Sequence, residues 1–175
     1  MRHIHVLSEA NGPLDADVMF VAEAPGRLGA ARTGVPLTAD ASGRRFDTFL
    51  AEAGLTRRRV FVTNAVLCLP LTPSELNRRP SRRELIACNR FLSEQIRVVS
   101  AAIVVSLGIV ALEALAMIEP HELALGRDVG RSVPWADRTL VPLYHPSVQS
   151  TLSRPHDQQL ADWRALGRLL RGAGT

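Results

Sequence analysis

Lysine is missing altogether: all 21 basic residues of the 175-residue chain are arginine. A GC-rich genome would give that bias. So would a polyanionic partner, because arginine's planar fork pairs bidentately with phosphate. The formal net charge of +4 permits nucleic-acid binding without demanding it. Cysteine is scarce. Cys68 and Cys88 are the two present, which argues against a disulfide framework and against a four-cysteine metal site within one chain. No apolar run approaches the roughly 20 residues that span a bilayer. The start, Met1-Arg2-His3-Ile4-His5, lacks the long apolar stretch of a secretory signal. These absences exclude a membrane protein and a secreted disulfide scaffold, and the expected location is the cytoplasm. Internal repeats and low-complexity segments are absent as well.

What remains is an ordinary globular mix, 46% hydrophobic and 22% charged, long enough for one domain with one core. Residues 1–175 are read as that single domain. Asp17 to Val21 is a short apolar run stopped by Pro25-Gly26, which reads as a buried strand ending in a turn. Gly29 to Gly43 reads as a loop. Phe46, Phe49 and Leu50 share one face of a helix expected over Ser42–Ala53. Val60 to Asn64 is a second strand, and Leu69 to Pro80, with three prolines, is a loop. Ser81 and Glu84 have capping-box spacing for a helix running to about Val99. Ala101 to Leu107 is a continuous apolar strand, as when both sheet faces are covered. A helix over Ile109–Met117, a strand over Thr139–Leu143 and a last helix from Pro155 to before Gly172 complete the pattern. Strands alternating with helices predict an α/β/α sandwich around a mostly parallel four-stranded sheet.

In such sheets ligands gather beyond the carboxyl ends of the strands. There the first strand delivers Ala22-Glu23-Ala24-Pro25-Gly26, the second Asn64, and the last His145-Pro146-Ser147. A carboxylate, an amide and an imidazole would converge on one rim.

Those segments resemble known signatures. Ala22-Glu23-Ala24-Pro25-Gly26 is similar to the first motif of the uracil-DNA glycosylase superfamily, and His145-Pro146-Ser147 to the second. The likeness runs from about Asp17 into the final helix and resembles most the iron–sulfur type, family four. The resemblance implies a DNA-repair enzyme of the prokaryotic nucleoid that acts on uracil-containing DNA as a monomer. Such an enzyme flips the base out and hydrolyses its bond to the sugar. It implies that His145 donates to the leaving base and that Glu23 positions water and offsets the sugar cation. Asn64 reads the base edge, with Leu37 and Ala24 beside it. Pro25, Gly26 and Ser147 hold the DNA backbone, together with Arg82 and Arg83.

Three departures from that family's pattern stand out. The acidic residues that follow Pro-Gly are replaced by Arg27-Leu28-Gly29-Ala30, so that either Glu23 acts alone or the rate is low. Leucine, Leu37, stands where the family stacks a phenylalanine on the base, so other deaminated bases enter consideration. Of the four cluster cysteines two positions remain, Cys68 and Cys88; His3 and His5 are poor substitutes, and no metal or other cofactor is expected. The runs Arg57-Arg58-Arg59 and Arg78, Arg79, Arg82, Arg83 are candidate phosphate contacts or solvated clusters. Val148 and Gln149 follow the second motif without offering a large wedge. Two other readings stay open: a non-catalytic binder of uracil-containing or damaged DNA, and a phosphate- or nucleotide-binding α/β domain.

Overall fold

The computed structural model describes residues 6–173 of the chain. Its strands are β1 (Val18–Ala22), β2 (Val60–Asn64), β3 (Ile103–Leu107), β4 (Val133–Trp135) and β5 (Arg138–Leu143). Its helices are α1 (Ala30–Thr33), α2 (Ala41–Glu52), α3 (Arg82–Val98), α4 (Ile109–Ala116), α5 (Leu125–Asp128) and α6 (His156–Ala173). The strands form one sheet in the order β2-β1-β3-β5-β4. The four parallel strands are those expected from the sequence. The fifth corrects the four-stranded expectation: β4 has three residues, includes Pro134, and runs antiparallel to β5 along the sheet's edge. It is too short for an alternating pattern to register, and an edge position spares proline the need for a ladder N–H.

Successive strand residues face opposite sides, and helices cover both. Met19, Val21, Phe61, Val104 and Leu140 pack against Leu85, Leu92 and Ile96 of α3 and Val110 and Leu115 of α4. Val18, Phe20, Val62, Val105 and Leu143 pack against Phe46 and Phe49 of α2 and Trp163 of α6. Phe20 stacks on Trp163 with ring centroids 5.2 Å apart and meets Phe46 edge-on at 5.3 Å. Alternation in burial disappears because both faces are core, hence the unbroken apolar strands. α6 crosses close to the end of α2 at Gly167, where a Cβ would lie 2.2 Å from the Ala53 carbonyl oxygen. Only glycine fits that crossing.

The capping box at Ser81 and Glu84 forms as expected. α2 begins one residue before the expected Ser42, capped by Asp40, whose Oδ1 accepts the Gly43 N–H at 2.8 Å. The stretch read as pure loop, Gly29–Gly43, contains α1. α6 runs through Gly172 instead of stopping before it. Parallel register pairs Ala22 with Asn64 and Leu107 with Leu143, so four strands end level. From β1 the chain goes to β2 on one side and returns to β3 on the other. The switch point therefore lies at the carboxyl end of β1, where α/β sheets open a crevice.

Candidate active site

A cavity of about 320 Å³ opens at that switch point. Its lining includes Glu23, Ala24, Pro25, Gly26, Leu37, Asn64, His145 and Ser147. Residues 122 positions apart in sequence, Glu23 and His145, thus share one wall because β1 and β5 both end at the rim. The turn after β1 is fixed by backbone bonds from the segment after β2: Ala65 N–H donates to Ala22 O at 2.8 Å and Val66 N–H to Glu23 O at 3.2 Å.

Asn64 is 2% exposed, and its Nδ2 has no hydrogen-bond partner. A buried donor left unpaired costs about 1–3 kcal/mol, so an acceptor supplied by a ligand would recover that loss. His145 is half-buried. Burial pushes its imidazole down to about 4, opposed by the attraction of the Asp40 carboxylate. At neutral pH the ring is therefore uncharged, with one N–H to donate. Burial also raises the Glu23 carboxyl above the ordinary carboxylate range; Arg79 opposes that rise and Glu113 adds to it. Arg79 and Glu113 pair with each other at 2.6 Å.

Asp40 is the residue that sequence reasoning missed, a second carboxylate at the cavity that holds Glu23. It lines the cavity. One oxygen caps α2, and the other, Oδ2, lies beside Gly26 and Gly29, where an added Cβ would come within 3.2 Å and 2.5 Å of it. The signal was present, since aspartate before a helix is a strong cap, but placing the helix start at Ser42 concealed it. Asn77 was also not singled out as a site residue. It lines the cavity, and its Oδ1 accepts the Arg27 N–H at 3.1 Å, tying the long 69–80 loop to the first motif.

Leu37 lies on the cavity wall in a left-handed conformation, φ 52°, and Ala39 follows at φ 64°. Such backbones cost non-glycine residues about 1–2 kcal/mol each. The loop is held there by Arg57, whose guanidinium donates to Pro36 O at 2.9 Å and to Leu37 O, and lies over the Phe46 ring.

Arg82 and Arg83 do not join the site. Neither lines the cavity, and Arg82 borders a separate hollow with Arg79, Glu113 and Met117. Most of the other candidate arginines are paired within the fold: Arg57 with Asp47, Arg59 with Asp17, Arg78 with Glu84 and Arg79 with Glu113. The turn after the second motif carries a residue not considered before, Leu152, which is 91% exposed.

The described residues do not suit a four-cysteine cluster. Cys68 and Cys88 are both buried, and burial, followed by the Cys88 neighbour, pushes the Cys68 thiol up; two cysteines supply half of a four-cysteine ligand set. Among the described residues no group of three or more His, Cys, Asp or Glu could hold a metal ion. His3 and His5 lie outside the described residues. No described helix is long and apolar enough to cross a membrane.

Known proteins resemble the chain along most of its length. The chain is 32% identical over 137 residues to the type-4 uracil-DNA glycosylase of Thermotoga maritima, covering 78% of this chain and 67% of that protein. It is 29% identical over 159 residues to the type-4 enzyme of Archaeoglobus fulgidus, covering 88% and 77%. It is 34% identical over 155 residues to the type-5 uracil-DNA glycosylase of Thermus thermophilus, covering 80% and 68%. The chain spans about two thirds to three quarters of the length of these relatives. The family model described as "Uracil DNA glycosylase superfamily" matches residues 9–166, nearly the whole chain, and the chain belongs to that superfamily.

Proposed function

We propose that the chain is a uracil-DNA glycosylase that flips uracil out of DNA and hydrolyses its N-glycosidic bond, leaving an abasic site. The observation that carries this reading is a buried amide donor without a partner beside a neutral imidazole in one cavity. Asn64 offers a buried, unpartnered amide donor, and His145 offers a neutral imidazole. A flipped pyrimidine carries carbonyl acceptors for both.

The residues then divide the reaction. Asn64 donates to one uracil carbonyl and accepts from the ring N–H, a pattern that cytosine cannot match. Leu37 and Ala24 flank the base. As the bond to C1′ stretches, negative charge grows on the uracil oxygens, and the His145 N–H stabilises it mainly in the transition state. The sugar acquires oxocarbenium character, which carboxylates offset. Glu23 and Asp40 both line the cavity and serve here, one accepting the proton of the attacking water as its oxygen bonds to C1′. Uracil leaves with the electron pair of the broken bond. Pro25, Gly26 and Ser147 meet the DNA backbone. Leu152 fills the stack that the base vacates. With leucine in place of an aromatic at position 37, stacking worth roughly 1–3 kcal/mol is reduced, and hypoxanthine or xanthine becomes a second substrate class. The chain works as a single domain and a monomer.

The experiment is incubation with oligonucleotides carrying uracil, thymine, hypoxanthine or xanthine, followed by alkali. Strand scission at uracil and not at thymine is expected. Selective binding of uracil-DNA with no scission at any base would leave the non-catalytic binder in place of the enzyme.

A further inference from the structure

Gln159 sits in the first turn of α6 and is 1% exposed. Glutamine is seldom so fully buried unless its polar atoms are paired, and here they are. Nε2 donates to Arg154 O at 2.7 Å and to Ser150 Oγ at 3.2 Å, and Oε1 accepts from Arg45 Nη2 at 3.4 Å. Both partners reach onward to the same short stretch of backbone. Ser150 Oγ lies 2.7 Å from His145 O and 2.7 Å from Ser147 O. Arg45 Nε donates to Pro146 O at 3.1 Å, while its guanidinium lies over the Phe49 ring. The carbonyls of residues 145 and 147 share the single Ser150 hydroxyl proton and that of residue 146 accepts the Arg45 Nε–H, all in a segment that belongs to no helix or strand. None of Gln159, Ser150 and Arg45 lines the cavity. They contact the turn and not the space where a base would lie.

We infer that Gln159, through Ser150 and together with Arg45, positions the turn that aims His145, and so governs the cleavage step rather than DNA affinity. The inference rests on the excision reading above. The unit ties α2 and α6, the two helices on one face of the sheet, to the loop at its end. Geometry at a reacting centre is demanding: misplacement by about 1 Å costs up to roughly 100-fold in rate. A surface turn with water on its carbonyls would be equally satisfied but not equally fixed. Gln159, Ser150 and Arg45 are positioning residues, acting through His145.

The test is a double-mutant cycle. Ser150→Ala, which removes one oxygen, and Gln159→Leu, which removes the amide at similar size, are each made alone and in a His145→Ala background. Single-turnover excision from a uracil duplex is measured beside a DNA titration and a melting curve. Each single variant is expected to cut about 10-fold more slowly with affinity unchanged within about twofold. In the His145→Ala background neither is expected to slow the reaction further, because an effect routed through one residue is not additive with its loss. Ser150→Thr, which keeps the hydroxyl, should restore most of the rate. Equal fold-losses in both backgrounds, or a wild-type rate for Ser150→Ala, overturns the inference and leaves the enzyme reading intact. If Gln159→Leu does not fold, Ser150→Ala decides alone. If instead His145→Ala cuts at the wild-type rate, the role of His145 fails and the inference fails with it.

Discussion

Two asparagines are buried to the same degree, 2% exposed, and both belong to the surroundings of β2. Asn11, in the turn Glu9–Asn11, is fully engaged: Nδ2 donates to Val62 O at 2.7 Å, and Oδ1 accepts the Ser8 N–H at 2.8 Å. It seals the outer edge of the sheet. Asn64 ends the same strand with its Nδ2 unpaired. A polar side chain buried for structure finds its partners within the fold. One buried without a partner, facing a cavity, is completed by what enters the cavity. On the cavity wall itself, Arg78 is locked to Glu84, whose carboxyl it holds down to about 2, while His145 is kept neutral.

The largest effect expected from this division is at the rim. His145→Ala should lower single-turnover uracil excision by about 100- to 1,000-fold, or on the order of 2.7–4 kcal/mol, while urea unfolding stays near wild type. A variant that unfolds early and cuts normally would place His145 with the structural residues. The reverse holds at the sheet edge. Asn11→Ala strands the Val62 carbonyl and the Ser8 amide and should cost about 1–3 kcal/mol of stability, read from the urea midpoint, with base preference unchanged.

The pH dependence sharpens the contrast. His145 is held at about 4, below its ordinary 6.5. Between those values the unfolded chain takes up a proton that the folded chain refuses. Stability therefore falls as pH drops from 6.5 to about 4 and gains nothing from this residue above 6.5. The excision rate should show no step near pH 6.5, where an ordinary imidazole titrates. In the His145→Ala variant the corresponding part of the stability loss should vanish. Smallest of all is the backbone: Ala39→Gly relieves a left-handed alanine at φ 64° but adds chain entropy to the unfolded state. The net gain should be under about 1 kcal/mol, and a large loss would show that the Ala39 methyl packs.

The strands and their rim were legible because β1, β2, β3 and β5 are buried on both faces and read as unbroken apolar runs. The segments that those strands deliver, Glu23 to Gly26, Asn64 and His145 to Ser147, followed from where the runs stop. What escaped was tertiary. β4 has too few residues for a pattern, and Pro134 argues against a strand in isolation. Asp40 enters the cavity only because the left-handed Leu37–Ala39 loop turns the cap of α2 back onto the Pro25-Gly26 turn. In the row of charges that includes Arg82 and Arg83, a sequence does not show that Arg78 and Arg79 pair with Glu84 and Glu113, or that Arg78 borders the cavity while Arg82 and Arg83 do not. Gln159 carried no visible signal, because a helical glutamine is usually solvated.

The two asparagines also supply the most direct test. Single-turnover excision is measured on matched uracil and cytosine duplexes for wild type, Asn11→Ala and Asn64→Ala, at a temperature where all three are folded. Asn11→Ala is expected to keep the wild-type preference for uracil over cytosine, and Asn64→Ala to lose most of it, with a slower uracil rate. An Asn64→Ala variant that keeps both the uracil rate and the preference would contradict the claim that this unpartnered amide reads the base.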